Sequence, residues 1–307
     1  MILDTRLGNT PRWFLAPPED YYMRVPDVVR DCVVFIGVHE VDTTTGQLFI
    51  KWGGTGFFVS VPSEGMPSGG YYYLVTAQHV VHAVQNKGFI VRANTRDGKA
   101  ENVEVPPNSG NWWFHPTDAN ADVAVIPFGL SLQHFDYKSV ASTMFLTKDT
   151  LREAFLGTGD EVYITGLFRN MIGTARNLPI VRIGNVAMMP SERVPTKYGP
   201  MNAYLIEARS LGGLSGSPVF IHTHVRPQTF LFGLMHGHWE LSAKEQANVA
   251  DIGVREDFAD EGEKINMGIA IVVPAVDIFA TLNHPELVEM RRQLDETAQR
   301  QNLPVED

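Results

Sequence analysis

Gly212-Gly213-Leu214-Ser215-Gly216-Ser217-Pro218-Val219-Phe220 sets a serine among glycines and then runs directly into an apolar segment. Glycines ahead of Ser215 let the backbone turn the N–H groups of Gly213 and Ser215 toward one point, the arrangement that stabilises an oxyanion. Gly216 permits a tight turn after the hydroxyl. Pro218 suits the opening position of the next strand, where a missing N–H costs no ladder bond.

Outward from this stretch the chain reads as short β-type runs separated by Gly, Pro, Asn and Asp. The first half carries Val33 to Val38, Phe49 to Trp52, Gly56 to Val61, Tyr71 to Ala77, Gly88 to Ala93 and Asp122 to Phe128. The second carries Glu161 to Gly166, Ile180 to Met188, Ala203 to Ala208, Ser217 to His222, Thr229 to Met235 and Met267 to Val273. No long helices alternate with them, which argues against a parallel α/β sheet. The expected fold is all-β, with two six-stranded antiparallel β-barrels, since closure removes exposed edges.

The expected divisions are an N-terminal extension over 1–29, a first barrel over 30–130, a connection over 131–158 and a second barrel over 159–273. An acid-rich insertion lies at 240–264 and a helical tail at 274–307. Pro274 suits a helix start, and ELVEMRRQLDETAQRQ is amphipathic. The tail is expected to pack on the second barrel or to self-associate. The insertion reads either as a lid beside the site or as a plain surface loop. Trp13, Phe14, Tyr21 and Tyr22 make the first 30 residues aromatic enough to dock on a neighbour.

Two further motifs complete a chemistry. Leu74-Val75-Thr76-Ala77-Gln78-His79 ends an apolar strand and sets a histidine on a short helical turn, with Gly53-Gly54-Thr55-Gly56 upstream as a glycine-rich entry to a strand. Ala121-Asp122-Val123-Ala124-Val125 places a carboxylate at the head of an apolar strand, where burial is costly without a hydrogen-bond partner such as an imidazole. Asp118 is the nearby competitor, but its polar surroundings read as a turn. Hydroxyl, base, orienting carboxylate and oxyanion donors are the four parts that nucleophilic catalysis by serine requires.

Thr76-Ala77-Gln78-His79, Asp122-Val123-Ala124-Val125 and Gly213-Leu214-Ser215-Gly216-Ser217-Pro218 together resemble the signatures of trypsin-like (chymotrypsin-fold) serine peptidases. The single cysteine and the run Asn266 to Pro274 are similar to the disulfide-free bacterial branch that includes the HtrA/Deg proteases, without a PDZ domain. The resemblance covers roughly residues 30–284. It implies a serine endopeptidase with His79 as base, Asp122 as its orienting carboxylate, Ser215 as nucleophile, and Gly213 and Ser215 as the oxyanion hole, with no metal or organic cofactor. Leu214 stands where secreted relatives carry an aspartate that pairs with a cleaved N-terminus, so activation by such cleavage is not expected. Arg209, six positions before Ser215, falls at the floor of the family's specificity pocket, beside Ser210. His236, Gly237 and His238 fall on its wall and on the edge where substrate backbone pairs. An arginine flanked by histidines favours an acidic side chain in that pocket; the plain alternative is an arginine facing solvent.

Other classes fit less well. An α/β-hydrolase needs a closing glycine after Gly-x-Ser-x, a helix after the serine, and its histidine last. A zinc site is suggested by His222-x-His224 and His236-x-His238, since i and i+2 share a strand face, but no cysteine accompanies them. The competing function is a protease-fold module that binds peptide without cutting it. A net charge of −10 argues against a grip on nucleic acid. One cysteine, Cys32, allows no intrachain disulfide and reads as a small core residue. The absence of a signal-like N-terminus or an apolar spanning run points to a cytoplasmic protein without membrane association, or a periplasmic one if a leader was removed. Its expected partners are a peptide or protein substrate and a second copy of itself, met through the aromatic N-terminus or the helical tail.

Overall fold

The computed structural model describes residues 25–65, 69–107, 109–208, 212–223, 228–242 and 264–301. A short helix, α1 (Asp27–Asp31), leads into β1 (Val33–Val41), β2 (Leu48–Pro62) and β3 (Gly70–Thr76). Helix α2 (Gln78–Val84) is followed by β4 (Phe89–Asn94), β5 (Ala100–Val105), β6 (Trp113–Phe114) and β7 (Ala124–Pro127). The connection holds β8 (Val140–Ala141), a 3₁₀ turn at Ser142–Met144 and α3 (Lys148–Glu153), whose first turn is capped by Thr147 accepting from the Thr150 amide. Strands β9 (Glu161–Gly166), β10 (Ile180–Met188), β11 (Tyr204–Glu207), β12 (Pro218–Thr223), β13 (Gln228–Ser242) and β14 (Lys264–Pro274) precede α4 (Ala275–Leu282) and α5 (Pro285–Gln301).

The second set closes as a barrel in the order β9-β10-β11-β14-β13-β12. The first set follows the same order, with β1-β2-β3-β7 on one side and β1-β4-β5 on the other. Its fifth strand is split into β5 and β6 by a stretch holding Pro106 and Pro107, which donate no N–H, so the ladder is interrupted there and the chain itself joins the two ends. The architecture is the all-β, two-barrel chymotrypsin-like type.

Several expectations change in detail. Phe49 to Trp52 and Gly56 to Val61 form one strand, because the register slips between Ile36 and Gly37 and Gly53 is the extra residue opposite them. Strand β5, AENVEV, was not expected at all: none of its side chains is fully buried, and it lacks the apolar signal of its neighbours. The tail is two helices, interrupted at Asn283-His284 with Pro285 opening the second.

Along β9, β12 and β14 the side chains alternate between two apolar clusters. Val162, Ile164, Val219, Ile221, Ala270 and Val272 join Leu214 and Phe232 in one cluster. Tyr163, Phe220, Ile271 and Val273 join the other, which runs through the first barrel and on to Ile278, Leu282 and Leu287 of the terminal helices. These three strands thus carry buried side chains on both faces. Helix α5 docks on the first barrel, not the second: Arg291 donates to the Tyr73 hydroxyl at 2.8 Å, and the Tyr71 hydroxyl donates to Asp295 at 2.6 Å. Cys32 is fully buried, and burial pushes its thiol far above the ordinary range, consistent with a core role. Among the described residues no helix is long and apolar enough to cross a membrane. The aromatic N-terminus and residues 243–263 of the acid-rich insertion lie outside the described residues.

Candidate active site

His79 is the second residue of α2, whose first amides, like those of any helix, lack intrahelical acceptors, and which is entered through Ala77, a residue with no capping side chain. Asp122, reaching in from two residues before β7, supplies the missing acceptor. Its Oδ1 takes the His79 backbone N–H at 2.9 Å, and its Oδ2 lies 2.7 Å from His79 Nδ1. One carboxylate therefore caps the helix and orients the imidazole it carries. Asp122 is buried and His79 is 18% exposed at the side chain, so the ring keeps an open side.

A second imidazole shares the same oxygen. His236 Nδ1 lies 2.5 Å from Asp122 Oδ2, with its own ring almost wholly buried. Burial alone raises the Asp122 carboxyl, but the hydrogen bonds from His236 and His79 outweigh it and hold the group down at about 2. The reason His236 can reach is local: the pairing of β13 with β14 slips between Met235 and Gly237, leaving His236 as the extra residue of a bulge. A bulge re-aims a side chain, and this one turns inward. The expectation that His236 walls a substrate pocket is corrected accordingly: its ring is on Asp122. His236 thus clusters with Asp122 and His79, a group that does not include His238. His222 hydrogen-bonds Thr229 at 3.1 Å, and His224 lies outside the described residues.

Ser215 arrives on the turn before β12. Its hydroxyl donates to the His236 carbonyl at 3.3 Å, and among the described residues it makes no other hydrogen bond. The turn is held by the first barrel through Thr55, whose amide donates to the Ser215 carbonyl at 2.9 Å and whose hydroxyl donates to the Gly213 carbonyl at 2.8 Å. The same hydroxyl accepts from the Leu167 amide at 2.9 Å. Sequence reading placed Thr55 in a glycine-rich entry to a strand and missed this clamp; the signal was only its position among the glycines. Gly213 and Gly216 have φ of 106° and 84°, the left-handed region that other residues enter only at a cost. At Gly216 a Cβ would also fall 2.1 Å from the Thr55 carbonyl oxygen. Neither the Gly213 nor the Ser215 amide has an acceptor among the described residues. Leu214 is fully buried in the second barrel, so an apolar anchor occupies the position where a charged one was discussed.

Asp118 sits apart from this cluster in a salt bridge with Arg193 at 2.8 Å, which, with the Asn120 amide, overcomes burial and holds its carboxyl below its ordinary value. Arg193 and Pro200 belong to the β10–β11 loop, and Asn120 Nδ2 donates to the Pro200 carbonyl at 3.1 Å. That loop carries Tyr198, whose ring stacks on His79 at 5.4 Å and meets His236 edge-on at 5.6 Å. Tyr198 was not singled out in the sequence, because nothing local marks it. Gly237 and His238 continue β13 beyond the bulge. From Gly237 onward that strand is paired with β14 on one edge, and β12 no longer covers the other. Arg209 and Ser210 lie outside the described residues.

No family model matches the chain, and no curated protein matches its sequence. Among solved structures it is similar to the MamO protease domain from Magnetospirillum magneticum in its apo form. That match has 14% identity and a TM-score of 0.48 and covers 82% of this chain and 96% of that one. It is also similar to an inactive form of the Rv3671c protease, at 16% identity and a TM-score of 0.44, over 84% of this chain and 90% of that one. A second Rv3671c structure, from M. tuberculosis H37Rv, matches at 16% identity and a TM-score of 0.44, over 88% and 96%.

Proposed function

We propose that the chain is a serine endopeptidase acting through Ser215, His79 and Asp122. The observation that carries the reading is the double hold of Asp122 on His79, through backbone N–H and Nδ1, with Ser215 one hydrogen bond away from the same cluster. Held at Nδ1–H, the imidazole presents Nε2 as an acceptor. Rotation of the Ser215 side chain away from the His236 carbonyl brings its proton to Nε2 while Oγ bonds to the substrate carbonyl carbon. The electron pair moves onto the carbonyl oxygen, where the Gly213 and Ser215 amides, which have no acceptor among the described residues, receive it. Collapse of this intermediate breaks the C–N bond, the leaving amine takes the proton from Nε2, and an acyl-enzyme remains. Water attacks that ester by the same route in reverse, restoring Ser215. Substrate in extended form pairs with the uncovered edge of β13 from Gly237 onward. An acidic preference through Arg209 stays part of the proposal.

Reaction with a fluorophosphonate probe, read by intact mass and peptide mapping, tests the reading. One adduct on Ser215, lost in Ser215→Ala, is the expected result. No adduct on well-folded protein overturns it in favour of the second reading, a peptide-binding module that does not cut. That reading draws on two observations: the Ser215 hydroxyl is turned to a carbonyl and not to the imidazole, and Tyr198 covers one face of His79.

A further inference from the structure

We propose that His79, Asp122 and His236 form a binding site for one divalent transition-metal ion of the zinc class. Two ring nitrogens, both Nδ1, converge on one carboxylate oxygen at 2.7 and 2.5 Å. The three ligand-type atoms lie within 4.8 Å of one another, the one such His–Asp–His group among the described residues. Two imidazoles and one carboxylate are a donor set for zinc, with ligand bonds near 2.0–2.2 Å. Opening each N–O pair by less than about 1 Å lets one ion replace the two protons now shared with Asp122 Oδ2.

The site has its outer support in place. The His79 amide fixes Asp122 Oδ1, which aims Oδ2 into the cluster, and the β13 bulge fixes His236. A cavity of about 180 Å³, lined by Gln78, His79, Asp122 and Tyr198 among others, opens beside two of the three ligands.

On binding, the single ring proton of each neutral imidazole moves from Nδ1 to Nε2, which frees the Nδ1 lone pair for the metal, and no proton is released overall. His79 with hydrogen on Nε2 cannot accept the Ser215 proton, so the ion switches the site off. This consequence rests on the peptidase reading; the metal site itself does not.

Titration of the intact chain with Co²⁺, followed by its visible absorption, is the test, with Zn²⁺ as competitor. One Co²⁺ per chain, displaced by one Zn²⁺, is expected. His236→Ser should weaken binding at least about 100-fold, beyond the 10–100-fold typical of an outer-shell change. His222→Ala should leave the spectrum unchanged. Absence of a tetrahedral cobalt spectrum, or equal binding by His236→Ser and by Asp122→Asn shown folded by circular dichroism, overturns the proposal. In parallel, Zn²⁺ should suppress fluorophosphonate labelling of Ser215, and chelation should restore it. Unsuppressed labelling at saturating Zn²⁺ overturns the switch. A chain that never labels but shows the cobalt spectrum retains the metal site and loses the peptidase reading.

Discussion

Thr55 joins the two halves of the candidate site at the level of single atoms. Its hydroxyl donates to the Gly213 carbonyl and accepts from the Leu167 amide, and its own amide holds the Ser215 carbonyl. Thr55 is fully buried, so removing the hydroxyl strands two polar groups away from water. Thr55→Val keeps the shape and is expected to cost about 2–4 kcal/mol of stability. It should also slow fluorophosphonate labelling, because the turn carrying Ser215 loses an anchor. Urea denaturation and labelling rates check both, and a variant as stable as the parent would show the clamp to be dispensable. Ser215→Ala, by contrast, should leave stability within about 0.5–1 kcal/mol while abolishing the adduct, since its hydroxyl makes one long hydrogen bond. This part of the site was readable in sequence as motifs. Thr55 and Tyr198 were not, because their roles depend on partners remote in the sequence.

At the scale of elements, α4 carries a buried acid that the proposed chemistry does not use. Asp277 sits in its first turn with Oδ1 3.7 Å from His115 Nε2 and Oδ2 without a hydrogen-bond partner among the described residues. His115 cannot turn its other nitrogen, which already accepts the Asp118 amide at 2.9 Å. Burial first, then the charge of Asp118, pushes the Asp277 carboxyl from 3.8 up to about 6, against the opposing pull of Arg193. A raised carboxyl means that the fold disfavours the ionised form. Between 3.8 and about 6 the folded chain keeps a proton that the unfolded chain has lost, so stability falls as pH rises through this window. The fall is about 3 kcal/mol. Asp277→Asn should therefore match the parent near pH 4 and exceed it near pH 7.5. Urea midpoints at the two values decide it; parallel pH profiles for parent and variant would sink the idea. Elements themselves were legible where apolar residues alternate, as in β9, β12 and β14. Strand β5 was hidden because Val103 and Val105 are its only large apolar residues and neither is fully buried, and the break in the tail because amphipathic periodicity continues across His284 and Pro285.

Taken whole, the molecule is held together by contacts between distant segments. Arg92, buried in β4, donates to Asn177 Oδ1 at 2.7 Å and to the Thr174 carbonyl at 3.1 Å, while Asn177 Nδ2 returns a bond to the Arg92 carbonyl at 2.6 Å. This ties the first barrel to the β9–β10 connection of the second with no acid paired to Arg92 among the described residues, and burial lowers the Arg92 pKa. Asn177→Ala leaves the guanidinium and a carbonyl unsatisfied and should cost about 2–4 kcal/mol, read as a shift in the urea midpoint. An unchanged midpoint would mean that water replaces the amide without loss. The terminal helices add a second tie, since α5 reaches the first barrel through Arg291 and Asp295 while following a strand of the second.

By itself the sequence determined the all-β composition, most strand positions and the three motifs that bear Ser215, His79 and Asp122. These are local properties: period-two apolar alternation, glycines that permit φ above zero, and a polar residue at an apolar strand head. Only the tertiary structure decided that His236 turns onto Asp122, that Thr55 clamps the nucleophile turn and that α5 docks on the first barrel. Each depends on pairing register or on contact between remote segments. A one-residue slip in β13 changes which way His236 points, and no local pattern in Leu234-Met235-His236-Gly237 announces it.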